Sequence, residues 1–235
     1  MPTTVNYQSL LGYAAAAFSI LIGAAVLLRT RRKAASWFFG GGMCLLAADS
    51  VLGGLSLQAS SADEIATWQT LALTVKALMP SVWLGFSLTY SRGNYREFLA
   101  RFRPLLILAL LVPLSVVVWG RNNLLNVQPF NDVVGAWWIR YEEPAKFLNG
   151  LLLIASVAIL MNVEKTFRSA VGTMQWRIKF VVIGVGIIFG ARIYTRSQGI
   201  LFSGHNLALI VIDLGALIIG CVLIFLAYVR AGFRE

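Results

Sequence analysis

The sequence is poor in the residues that soluble enzymes use for chemistry. It has one histidine, His205, and two cysteines, Cys44 and Cys221. Neither cysteine has CxxC spacing or a neighbouring histidine, which excludes the usual metal and redox frameworks and leaves two small buried hydrophobes as the reading. No metal and no cofactor is implied. GxSxG, HExxH and P-loop patterns are absent. The first eight residues, Met1 to Gln8, hold no Lys or Arg, whereas a cleaved signal peptide begins with a basic stretch. Charge is scarce as well: 13% of the 235 residues are charged and 58% are hydrophobic, against about 25% charged in a soluble domain. The net charge of +10 does not point to nucleic acid, because the bases sit between apolar runs and not in one solvated footprint.

What is present is a series of long apolar runs. A bilayer core takes about 20 apolar residues per helix, and seven segments meet that length, near 9–28, 35–57, 65–90, 104–120, 146–163, 179–202 and 207–229. The expected fold class is all-α, a polytopic membrane protein with one seven-helix domain over 1–235 and no soluble domain. The second segment carries Gly40-Gly41-Gly42 and Gly53-Gly54, small residues that let helices approach closely. Pro80 marks a kink in the third, and Pro104 a first-turn proline opening the fourth, which holds Pro113 inside. Gly186 and Gly190 form a GxxxG in the sixth, with packing the more ordinary reading than dimerisation.

Orientation follows from the bases. Arg29, Arg31, Arg32 and Lys33 follow the first span, and Arg92, Arg96, Arg101 and Arg103 the third. Lys165, Arg168, Arg177 and Lys179 follow the fifth, and Arg230 and Arg234 the seventh. The other side has Arg121, Arg140 and Lys146, with the acids Asp63, Glu64, Asp132, Glu142 and Glu143. The positive-inside rule therefore places the N-terminus outside and the C-terminus in the cytoplasm of a bacterial inner membrane, with the lipid bilayer as the first partner.

Charge inside the spans is the exception that needs explaining. Asp49, Lys76, Arg192 and Asp213 fall within the second, third, sixth and seventh segments. At 1.5 Å per residue they share one layer roughly 10–17 Å below the outer surface, and their formal charges cancel. Arg196 lies nearer the outer end, where it can snorkel. A lone charge at mid-bilayer costs at least about 2.5–3.5 kcal/mol, so the four are expected to face inward and pair, Arg192 with Asp49 or Asp213 and Lys76 with the remaining acid. Two readings stay open: a neutral clasp that fixes helix order, or a polar pocket opening outward that takes a small ligand or senses the envelope. The one long outer loop, Gly120 to Ala145, holds Phe130, Trp137, Trp138 and Tyr141. It reads either as a lid over that pocket or as an interfacial segment with its rings at headgroup level. His205, in a short outer turn, reads as a solvated residue. The seventh span has Asp213 and no lysine, so no retinal Schiff base is available. Transport along the buried charges remains the alternative class, although no internal repeat is evident.

The runs Thr173-Met174-Gln175-Trp176-Arg177-Ile178-Lys179-Phe180, Ala191-Arg192-Ile193-Tyr194-Thr195-Arg196-Ser197-Gln198 and Val229-Arg230-Ala231-Gly232-Phe233-Arg234-Glu235, with Gly12-Tyr13 ahead of the first helix, resemble the N-terminal membrane region of the PEP-CTERM/exosortase-associated sensor histidine kinases. The resemblance implies a sensory input region of a two-component system. It implies a cytoplasmic kinase module further on and a homodimer formed through that module. This chain stops at Glu235 and carries neither a cytoplasmic phospho-acceptor histidine nor an ATP lid. It is therefore expected to be a fragment or truncated product without enzymatic activity of its own.

Overall fold

The computed structural model describes residues 7–29, 34–90, 95–121, 123–129 and 137–232. Arg31, Arg32, Lys33, Arg92, Phe130, Asp132 and Arg234 lie outside them. Seven helices account for most of the chain: α1 Tyr7–Arg29, α2 Ala34–Gln58, α3 Ala62–Thr89, α4 Tyr95–Gly120, α5 Glu143–Ser169, α6 Thr173–Leu201 and α7 Ile210–Gly232. Each is long and apolar enough to cross a membrane, so the chain is a multi-pass membrane protein. The helices pack in sequence order, α7 returns against α1, and α3 also touches α5. α4 packs only on the outside of α3 and α5. Its Leu108, Leu111, Val118 and Trp119 are exposed, as expected for a lipid-facing helix.

The expectation of an all-α chain needs one correction. Three short strands, β1 Leu125–Pro129, β2 Trp137–Tyr141 and β3 Gly204–Asn206, form an antiparallel sheet in the order β1-β2-β3. Leu125 faces Tyr141 and Ile139 faces His205 in register. Backbone amides next to lipid must find partners, and a sheet linking the α4–α5 and α6–α7 connections supplies them. Trp137, Trp138, Ile139 and Tyr141 favour that geometry.

The helix ends follow local chemistry. Ser61 caps α3: its hydroxyl accepts from the Glu64 amide at 3.3 Å, while the Glu64 carboxylate accepts from the Ser60 amide at 3.2 Å, a reciprocal pair close to a capping box. α4 begins nine residues before Pro104, so this proline is internal and not at the first turn. Hydropathy marks where lipid starts, and the helix itself continues into the basic segment before it. Pro80 is also internal, within an α3 that runs unbroken from Ala62 to Thr89. It supplies no amide to the Lys76 carbonyl four residues earlier.

Close helix contacts are made at glycines. A Cβ on Gly12 of α1 would meet the Ser50 carbonyl oxygen at 2.9 Å and Gly54 Cα at 3.0 Å on α2. On α6 and α7 the tight pair is Gly184 with Gly220, where either Cβ would lie 2.8 Å from the other's carbonyl oxygen. Gly186 and Gly190, the GxxxG pair, have open space instead: α6 meets α7 along the Gly184 face, and those two glycines are turned away from it. Cys221 is buried, but Cys44 is exposed on α2, so only one of the two cysteines fills core space.

The interior divides along the membrane normal. Toward the end opposite the sheet, Phe39, Trp83, Phe86 and Phe189 pack ring to ring with centroids 5.1–6.0 Å apart, and Tyr90 continues the stack from Phe86 at 4.9 Å. Toward the sheet end the interior holds a polar cluster beside a second apolar core of Leu73, Leu124, Leu148 and Leu152.

Candidate functional site

Asp49 is the centre of the polar half. It sits on α2, buried at 8% exposure. Its Oδ2 accepts from Arg192 Nη2 on α6 at 2.8 Å, and its Oδ1 lies 3.4 Å from Lys76 Nζ on α3. One acid thus holds both bases, and the one-to-one pairing expected from the sequence does not occur. Arg192 is 4% exposed and also contacts the Met79 sulfur through Nη1 at 3.6 Å.

Asp213 stands apart from the bases. It accepts from the Thr195 hydroxyl at 3.1 and 3.2 Å. Among the described residues no cation reaches ion-pair distance of it. Asp213 lies in the first turn of α7, where the helix dipole favours a negative charge. The preceding turn is fixed by Asn206, whose side chain accepts from the Ala208 amide at 2.9 Å.

Arg196 does not snorkel. It is buried at 8% exposure, and Nη1 donates to Asn149 Oδ1 on α5 at 3.0 Å, while Asn149 Nδ2 donates back to the Arg196 carbonyl at 3.2 Å. Arg192 and Arg196 are one helical turn apart on α6, so the helix face that buries one buries the other. Asn149 was not anticipated. Its signal in the sequence is a lone amide in an apolar run, where a polar group is costly and therefore placed just as a charge is.

Two small cavities flank Arg192. The first, about 20 Å³, is bounded by Asp49, Ser50, Gln69, Lys76 and Asp213. The second, about 10 Å³, lies between α3, α5 and α6 beside Arg196. A buried water needs about 10–15 Å³ and two to four polar partners, so the first cavity has the size and lining for a single water. It is far below the roughly 300 Å³ of an ordinary small-molecule site. In this conformation the polar cluster does not accommodate an organic ligand.

The sheet closes the cluster off. Strand alternation turns Trp137, Ile139 and Tyr141 inward, and these pack on the main core. Ile139 is fully buried, whereas Arg140 faces out. Tyr141 stacks on His205 with centroids 5.3 Å apart. Of the three expected lid residues, Tyr141 reaches the cluster, Trp137 lines the inward face, and Trp138 lies on the opposite face of the strand. His205 is not solvated. Pairing of β3 with β2 carries it under the sheet, where its Nδ1 is buried without a hydrogen-bond partner. Burial, with the nearby Lys76 and Arg196 charges adding to it, holds its imidazole down at about 3, so it is neutral at physiological pH. Burial likewise pushes the Tyr141 phenol up to about 12.

Comparison with family models, with curated proteins and with solved structures returns no match for this chain.

Proposed function

We propose that this chain is the membrane-embedded sensory input region of a two-component histidine kinase. In this reading it lies in a bacterial inner membrane with the sheet end outside and the C-terminus in the cytoplasm. It passes an envelope or ligand signal to a kinase module, through which it dimerises. The family resemblance supplies the kinase and the homodimer. The orientation rests on the bases: Arg29, Arg96, Arg101, Arg103, Lys165, Arg168 and Lys179 all belong to the end opposite the sheet.

One observation supports sensing over transport. Among the described residues the charged side chains of the cluster, buried Asp49, Arg192 and Arg196 with half-buried Lys76 and Asp213, lie in the sheet-end half, and the aromatic stack from Phe189 to Tyr90 fills the interior beyond them. A transport path needs polar lining on both sides of its binding site. A polar cluster confined to one half of the interior suits a device that biases helix packing, with the change carried down α6 and α7 as a small shift or rotation.

The test joins this chain to a cytoplasmic kinase module after Glu235 and reads phosphorylation of a reporter. Asp213→Ala together with Arg192→Ala should change the output. Unaltered output from a correctly inserted double variant overturns the reading, as does labelling that places Asp63 on the cytoplasmic side. Solute uptake into proteoliposomes by the chain alone would favour transport.

A further inference from the structure

We propose that Lys76 is a switching charge with two alternative partners, Asp49 on α2 and Asp213 on α7, and that the cavity between them is the space through which its ammonium moves. The inference concerns the bundle alone and does not depend on what lies downstream.

Four observations carry it. The bond from Asp49 to Arg192 is short, at 2.8 Å, whereas Lys76 lies 3.4 Å from the same carboxylate and makes no hydrogen bond among the described residues. The ammonium is thus the loosely held member, and its side chain is the most exposed of the three at 17%. When Lys76 leaves, Asp49 keeps Arg192 and is not stranded. Asp213 lines the same cavity of about 20 Å³ and is the acid without a cation. Finally, the Lys76 carbonyl receives no amide from Pro80 four residues on, so α3 is held by one hydrogen bond fewer at this residue.

The two arrangements are closely balanced for physical reasons. Bound to Asp49, Lys76 shares a carboxylate with Arg192, while the Thr195 hydroxyl and the first turn of α7 stabilise Asp213. Bound to Asp213, Lys76 completes two separate ion pairs but moves away from α2. Both states keep the four-residue cluster neutral. Lysine suits the task, being a point charge on a flexible four-carbon stem. The other ionisable groups facing this region, Arg196, His205 and Tyr141, stay in place: Arg196 is held by Asn149, His205 lies in β3, neutral and paired to β2, and Tyr141 lies in β2 against His205. The consequence is a change of mechanical connection, from α3 tied to α2 to α3 tied to α7.

The test is nitrogen-15 NMR of the lysine ammonium groups in nanodiscs, with the Lys76 signal assigned by its loss in Lys76→Met. A minor state of about 0.1–10%, exchanging in microseconds to milliseconds, should broaden the wild-type Lys76 signal. Asp213→Asn should remove that broadening and leave Lys76 at its Asp49-bound position. Asp49→Asn should move the signal to a second position that remains protected from water. The proposal is overturned if Asp213→Asn leaves the broadening unchanged, or if Asp49→Asn gives an unprotected ammonium like those of the exposed lysines. Should Asp49→Asn not fold, Asp213→Asn alone decides, since Asp213 carries no ion pair. Failure here would leave the sensory reading intact, because no signalling output is measured.

Discussion

Removing Asp49 and removing Lys76 should have very different effects, although each deletes one charge from the same ion pair. In Asp49→Asn the Arg192 guanidinium, 4% exposed, loses the carboxylate it is bonded to, and Lys76 loses its neighbour at 3.4 Å. Breaking a buried pair from one side costs about 3–5 kcal/mol, because the partner charge is left uncompensated. In Lys76→Met the Asp49–Arg192 bond at 2.8 Å survives, the remaining pair is neutral, and methionine keeps the apolar stem. What disappears is a longer contact, 3.4 Å, from a half-buried amine, so the loss should be clearly smaller than in Asp49→Asn. The double replacement Asp49→Leu with Arg192→Leu removes both buried charges together, and such swaps are often neutral. It should recover most of the loss, with Lys76 free to turn to Asp213. The assay is equilibrium unfolding by SDS in mixed micelles, with all variants compared at one pH. Equal losses for Asp49→Asn and Lys76→Met, or a double variant as unstable as Asp49→Asn, would refute Asp49 as the hub.

The remaining expectations use the same assay. His205 is the only histidine, and its folded pKa of about 3 lies below its unfolded value. The unfolded chain therefore binds the extra proton between them, and stability is lost as pH falls from about 6.5 toward 3. At pH 5.5 the loss is about 1.4 kcal/mol, and His205→Phe should abolish it while keeping a ring against Tyr141. Asn149→Leu should cost about 1–3 kcal/mol by leaving a guanidinium nitrogen of Arg196 unpaired, whereas Asn149→Asp should be tolerated or stabilising because it offers a carboxylate. Gly184→Val should cost about 1–3 kcal/mol through overpacking against the Gly220 backbone, while Gly186→Ala, pointing into open space, should change little.

The sequence made the spans legible because lipid imposes length and apolarity directly. All seven expected segments coincide with helices, with α4 and α6 beginning several residues before their apolar spans. The in-span charges were legible for the same reason: an ion in an apolar run is conspicuous. Partner choice was not, since it depends on which helix faces meet. Asp49 taking both bases follows from the packing of α2, α3 and α6, which no local pattern encodes. The sheet was missed because β3 is three residues, Gly204-His205-Asn206, and reads as a turn until Ile139 pairs with it. His205 was misread with it, because its burial comes wholly from that pairing. Gly186 and Gly190 show the converse, a familiar motif without the contact it suggests. Gly184 and Gly220 lie 36 positions apart in sequence and meet only in three dimensions.

The polar half and the aromatic half of the interior explain one another. Charges are tolerated near the sheet because Asp49 and Asn149 each bond a guanidinium, Thr195 donates to Asp213 and Asp213 lies in the first turn of α7, although the Arg196 Nε stays buried without a partner. None of these devices exists around Trp83, whose indole N–H is buried without a partner. Water reaching the cluster from the sheet side would therefore stop at Phe189, one helical turn before Arg192 on α6. A signal entering from that side has no through-route as a solute, and what can travel further is a change in helix contact. The loosest contact in the cluster is the one between α2 and α3 at Lys76. The best-placed alternative is α7, which runs on to the basic end of the bundle. A rearrangement at Lys76 would thus act on the last helix directly, through an ion pair at its first turn, without moving the Asp49–Arg192 bond that holds the rest together.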